Sequence, residues 1–131
     1  MKVSISLASF ISADFIALFE FYSKTFNLPE VEDLRSDIFR GADASGVIIG
    51  FSAPVVYEML NIQDWSNPKG TNQYLTFECE NDQHVADTTA LALSHGARLL
   101  HEPYETYYGA FQSVLADPDG NVFRVNYFRP A

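Results

Sequence analysis

The chain has 131 residues, a single-domain length that leaves no room for separate catalytic and regulatory domains. Apolar residues make up 47% and charged residues 19%, so it can bury a core and is not a disordered tail. Eight Lys and Arg face 17 Asp and Glu, a formal charge of −9, which argues against a nucleic-acid partner because phosphate backbones demand a basic surface.

The one cysteine, Cys79, excludes an internal disulfide and any cysteine-rich zinc cluster. No apolar run approaches the roughly 20 residues of a membrane-spanning helix. Lys2 followed by Val3 to Phe10 loosely imitates a signal peptide, but serines interrupt the run and Ile11 suits a cleavage after Ala13 poorly. The expected location is therefore cytoplasmic, with no membrane partner.

In chain order, Val3-Ser4-Ile5-Ser6-Leu7 alternates like a half-buried strand. Ser12 or Asp14 can cap a helix in which Phe15, Leu18, Phe19, Tyr22 and Phe26 share one face. Glu20 and Lys24 lie four apart on its wet side, and Asn27 and Pro29 end it. Strands are expected near Val31 to Leu34, Asp37 to Arg40 and Val47 to Phe51, with a loop over residues 41–46. Residues 54–71 read as a connector rich in bulky apolar side chains, among them Tyr57, Met59, Leu60 and Trp65. Such side chains suit a pocket cover or a partner surface better than a spacer.

The second half repeats the order. Gln73 to Cys79 alternates, and Asn81 or Asp82 caps a helix whose Val85, Thr89, Ala92 and Leu93 share a face before Gly96. Strands follow at Arg98 to Leu100, Phe111 to Ala116 and Val122 to Phe128. The last two are joined by Asp117-Pro118-Asp119-Gly120-Asn121, in which Pro fixes φ and Gly accepts φ > 0. The expected fold is α+β with an internal duplication: module one about 1–53, connector about 54–71, module two about 72–131.

Phe21-Tyr22 followed by Phe26-Asn27-Leu28 resembles a helix end of the vicinal oxygen chelate superfamily. Gly96-Ala97-Arg98, Gly109 and the Asp117–Asn121 turn are similar to its closing module. That superfamily includes glyoxalase I, extradiol dioxygenases and bleomycin-resistance proteins. The resemblance covers the whole chain. It implies two tandem βαβββ modules forming a cupped mixed sheet with helices outside, and a divalent metal held by His or Glu on the first and last strands of each module.

The residues at those positions are not ligands. The first strand offers Lys2, Ser4 or Ser6, and Val47 to Phe51 has no carboxylate or imidazole. In module two the His position falls on Gln73 or Tyr74, and the Glu position is Arg124, which cannot coordinate. His84, His95 and His101 fit no ligand spacing, and Cys79 reads as a small buried hydrophobe. A calcium loop from Asp117-x-Asp119-Gly120 fails, because its twelfth residue is Phe128.

The expectation is a metal-free binder without cofactor or catalytic residues, sequestering a small organic molecule as bleomycin-resistance proteins do, and forming a homodimer. Arg124, Tyr104, Tyr107, Tyr108 and Phe111 are the candidate ligand-binding residues, joined by Tyr57 and Trp65 from the connector. The competing structural role packs the tyrosines into the dimer interface and pairs Arg124 with Glu78, Glu102 or Glu105. The enzymatic alternatives are a metal-dependent lyase or dioxygenase with ligands elsewhere, and a cofactor-free lyase or isomerase using Glu78, Tyr108 or another acid–base group. A third is a structural subunit with its cup filled by side chains.

Overall fold

Strand periodicity and turn chemistry lay out seven strands and three helices in the computed structural model, which describes residues 2, 4–66 and 73–130. The chain divides into two units, Met1–Lys69 and Gly70–Ala131.

In the first unit, β1 (Leu7–Ile11) leads into α1 (Phe15–Phe26), followed by β2 (Phe39–Asp43) and β3 (Ile48–Ser52). The sheet order is β1-β3-β2, with β1 parallel and β2 antiparallel to β3. The first strand thus lies later than the alternation at Val3 to Leu7 suggests, and Val3 itself falls outside the described residues. The later register pairs Phe10 with Phe51 and stacks the Phe10 ring on Tyr22 at 5.4 Å, a contact that outweighs local alternation. Tyr22, Phe51 and Leu18 are buried as the helix periodicity implies, and Asn27 ends α1 in the left-handed region at φ 53°. Asp14 is the N-cap without a side-chain bond. Ser12 Oγ instead accepts from the Asp14 amide at 3.1 Å.

Two further expectations shift. The strand expected near Val31 to Leu34 contracts to a single bridge, Glu30 to Ala42, followed by a 3₁₀ turn at Glu32–Leu34, since Glu32 and Asp33 are poor strand formers. The loop over 41–46 shrinks to a tight hairpin turn, because Ser45 (φ 60°) and Gly46 (φ 111°) supply the two positive φ angles that a right-twisted hairpin favours. Of the connector, α2 (Val56–Met59) and a 3₁₀ turn at Gln63–Trp65 belong to the first unit. Its Asn67, Pro68 and Gly70 lie outside the described residues.

The second unit has the same plan in fuller form: β4 (Leu75–Glu78), α3 (Asp82–Ser94), β5 (Arg98–Glu105), β6 (Ala110–Ala116) and β7 (Val122–Phe128). Its order is β4-β7-β6-β5, with β4 parallel to β7 and the other pairs antiparallel. Asn81 caps α3 by accepting from the His84 amide at 2.7 Å. Val85, Thr89 and Ala92 are buried as expected, whereas Leu93 is exposed. β5 extends past Leu100 to Glu105 and carries Pro103, which an edge strand tolerates because one side of it donates to no neighbour. Both units thus follow one βαβββ order, complete in the second and with one strand reduced to a bridge in the first, and the fold is α+β. Among the described residues no helix is long and apolar enough to cross a membrane.

Candidate functional site

Side chains alternate across β7, so Phe123 and Val125 face α3 while Arg124 and Asn126 face the other way. The pairing registers extend that second face across the sheet. Arg124 lies opposite Thr76 of β4 and Val114 of β6, Asn126 lies opposite Glu78 and Gln112, and Gln112 lies opposite Tyr104 of β5. A polar patch on one face of the sheet results.

Arg124 is its hub. Nε donates to Thr76 Oγ1 at 3.0 Å, and Nη1 donates to the Tyr108 hydroxyl at 3.2 Å and to Gln112 Oε1 at 3.3 Å. The guanidinium also sits 5.0 Å from the Tyr74 ring centroid, a cation–π distance. Gln112, only 3% exposed, accepts from the Tyr108 hydroxyl at 3.0 Å and donates to the Tyr104 hydroxyl at 2.9 Å. The His101 ring lies 3.9 Å from that of Tyr104.

Among the described residues Arg124 makes no ion pair. Of the carboxylates considered as its partners, Glu105 is bound to Arg129 at 2.7 Å. Glu78 accepts from Asn126 Nδ2 at 2.9 Å and from the Phe128 amide at 2.7 Å. Arg129 shows the opposite arrangement: clamped between Asp82 and Glu105, it has its pKa raised, first by the hydrogen bond to Asp82. Arg129 is thus balanced by two carboxylates, while Arg124, on a half-buried sheet face, has none beside it among the described residues.

The structure brings together Arg124, Tyr108 and Tyr104 of the expected site residues. Tyr107 is fully exposed and meets Tyr108 edge-on at 5.1 Å. Phe111 is corrected to the opposite, helix-bearing face, where Arg129 lies 5.3 Å from its ring; one residue of strand offset separates it from Gln112. Tyr57 and Trp65 belong to the first unit, Tyr57 half-buried on α2 and Trp65 80% exposed. Sequence reasoning missed Thr76, Gln112 and Asn126. The available signal was the period of two: Asn126 stands two residues from Arg124, and both Gln112 and Asn126 are polar residues inside apolar strands.

The positions that the resemblance reserves for metal ligands do not fit a metal. Residues 73 and 74 precede β4, and the residue beside Arg124 is Thr76. The guanidinium has no lone pair to give, and repels a cation. Lys2, Ser4 and Ser6 precede β1, and β1 and β3 carry no imidazole or carboxylate. Among the described residues no three His, Cys, Asp or Glu side chains converge on a possible ion site.

Residues 5–125 match the family model of the Glyoxalase/Bleomycin resistance protein/Dioxygenase superfamily. A glyoxalase/bleomycin resistance protein/dioxygenase family enzyme from Burkholderia phytofirmans PsJN is 36% identical, with a TM-score of 0.94 over 97% of this chain and 100% of that one. A glyoxalase-related enzyme from Fulvimarina pelagi is 17% identical, with a TM-score of 0.83 over 95% of this chain and 87% of that one. Lactoylglutathione lyase from Agrobacterium tumefaciens is 16% identical, with a TM-score of 0.72 over 97% and 95%. The last two likenesses concern the fold alone. No curated protein matches the sequence. The family match over nearly the whole chain and the duplicated βαβββ plan agree: the chain belongs to the glyoxalase/bleomycin resistance protein/dioxygenase superfamily.

Proposed function

We propose that this protein binds a small organic anion without a metal, on the sheet face centred on Arg124, in the manner of a sequestering bleomycin-resistance protein. One observation carries the reading: Arg124 occupies a family ligand position and, among the described residues, has no carboxylate to neutralise it. A guanidinium in a polar, partly desolvated setting pairs strongly with a carboxylate or phosphate oxygen. Tyr74, Tyr104 and Tyr108 supply aromatic surface for a planar or apolar body attached to that anion. The reading extends to a cytoplasmic homodimer. The exposed Met59, Leu60 and Trp65 support an interface between copies.

The test is calorimetric titration with phenylacetate after exhaustive dialysis against a chelator. The expected result is binding that survives the chelator and is lost in Arg124→Gln. Binding that vanishes on dialysis and returns with zinc, nickel, iron or manganese overturns the reading in favour of a metal-dependent lyase or dioxygenase.

A further inference from the structure

Asn126 is wholly buried, and its Oδ1 has no hydrogen-bond partner. The orientation of its carboxamide is fixed by chemistry. Nδ2 donates to Glu78 Oε1 at 2.9 Å, and a carboxylate accepts only, so the amide nitrogen must face Glu78 and the oxygen must face away. Glu78 is itself held by the Phe128 amide at 2.7 Å, so its carboxylate is anchored to β7 on both sides of Tyr127. Gln112, the residue opposite Asn126, directs its amide nitrogen to Tyr104, and Asn126 Oδ1 stays without a donor.

A buried acceptor left without a donor is costly, and native proteins rarely keep one without a use. Here it lies two residues from an arginine that has no anion, on the same face of the same strand. The two needs are complementary and close. Arg124 reaches Gln112 Oε1 at 3.3 Å, and Gln112 is the cross-strand partner of Asn126, so the cation without a carboxylate and the acceptor without a donor are both neighbours of one residue.

Tyr108 lies across this point. Its hydroxyl bonds Gln112 and its ring stands 6.4 Å from Phe128, the two residues that flank Asn126. It is carried by the turn between β5 and β6, next to Gly109 at φ 86°, and is 45% exposed. Among the described residues, its hydroxyl bonds to Gln112 and Arg124 are the hydrogen bonds that hold it over this point.

Resting on the anion-binding reading above, we infer that the ligand is a carboxylate bearing a hydroxyl or N–H donor on a neighbouring carbon: its carboxylate meets Arg124, its donor meets Asn126 Oδ1, and the Tyr108 hydroxyl gives up its bonds to Arg124 and Gln112 while its ring remains as aromatic surface. Glu78 acts as a positioning residue, holding the Asn126 oxygen toward the ligand. The class is 2-hydroxy or 2-amino acids with an apolar or aromatic body.

The experiment compares mandelate with phenylacetate, which differ by one hydroxyl, by calorimetry on the wild-type protein, Arg124→Gln and Asn126→Val. The wild type is expected to prefer mandelate by about tenfold, the worth of one good hydrogen bond to a buried acceptor. Arg124→Gln loses both ligands. Asn126→Val loses the preference and keeps phenylacetate. Should Asn126→Val fail to fold, the wild-type Asn126 side-chain amide resonances decide: mandelate must shift them and phenylacetate must not. Equal affinity for the two acids, or unshifted resonances, overturns the inference and leaves the anion reading standing. Failure of both acids to bind at millimolar concentration overturns both.

Discussion

Glu78 and Asn126, on adjacent parallel strands, share a 2.9 Å hydrogen bond that fixes which end of the carboxamide faces the Arg124 patch. Glu78 also accepts from the Phe128 amide, so its removal orphans two donors, one on a wholly buried side chain. Glu78→Ala is expected to destabilise the fold by about 1–3 kcal/mol, measured by chemical denaturation. Glu78→Gln should recover part of that loss, since its carbonyl still accepts one of the two N–H groups. Equal stability of wild type and Glu78→Ala would show that the bonds carry no net weight.

Thr89 and Ser113 make a second buried polar pair, between α3 and β6, at 2.7 Å. Thr89 spends its proton on the Val85 carbonyl at 2.7 Å, so Ser113 is the donor to Thr89. The two truncations should therefore differ. Ser113→Ala removes a donor and leaves Thr89 satisfied, for about 1 kcal/mol; Thr89→Val strands the Ser113 hydroxyl in an apolar layer, for about 1–3 kcal/mol. A reversed ranking in denaturation midpoints would mean that the proton runs the other way.

How far these relationships were legible in the sequence depends on their range. β7 is read to the residue, Val122 to Phe128, because the Asp117–Asn121 turn fixes where it begins. The buried Asp117 carboxylate closes that turn by accepting from the Asp119 and Asn121 amides, each at 2.9 Å, which is local chemistry. β1 has no turn signal ahead of it, so its alternation alone does not say whether Leu7 ends a strand or starts one. Arg124 stands out because a motif position makes its charge conspicuous. Gln112 and Asn126 do not, since what makes them part of the patch is the β6–β7 register, a property of two strands rather than of either. Phe111 is displaced for the same reason: counting aromatics near Arg124 ignores which face each one takes.

Gly50 tests the packing of the first unit. It lies mid-strand in β3, between Ser9 and Gly41, and its φ is not in the left-handed region. Its requirement is space: a Cβ would overlap Ser9 Oγ and come within 2.8 Å of the Phe39 ring. Gly50→Ala is expected to cost about 1–3 kcal/mol through overpacking. Pairing it with Phe39→Leu should recover part of the loss if the ring is the obstacle, and a neutral Gly50→Ala would contradict the tight fit.

Glu30 and Arg35 link the first unit's bridge to the far end of the 3₁₀ turn at Glu32–Leu34, with Nε to Oε2 at 2.8 Å. The hydrogen bond from Arg35 holds the Glu30 carboxyl below its ordinary value of 4.5. A depressed carboxyl pKa stabilises the folded state above the unfolded pKa, and that stabilisation is lost as pH falls through the folded value. The stability gap between wild type and Arg35→Ala should therefore be present at about pH 6 and close toward about pH 3. The exposed position of Arg35 keeps the effect small. A gap that widens in acid would reverse the sign argued here.

Cys79 offers a readout of the second unit's cohesion. It follows β4, is 7% exposed, and its Sγ lies 3.8 Å from Thr88 Oγ1. Burial pushes its thiol pKa up, with the Thr88 contact opposing and the neighbouring Glu78 and Glu80 charges adding to the rise. Since the thiolate is the reactive form, native protein should react with an aromatic disulfide reagent far more slowly than denatured protein at the same mildly alkaline pH. Raising the pH should speed the native reaction without a plateau near the ordinary thiol pKa of 9.0. Glu78→Ala sharpens the test. It removes one repelling charge, which favours the thiolate, and it loosens the strand end that buries the sulfur. Both effects accelerate the reaction, so an unchanged native rate in that variant would separate Cys79 from the Glu78–Asn126 arrangement altogether.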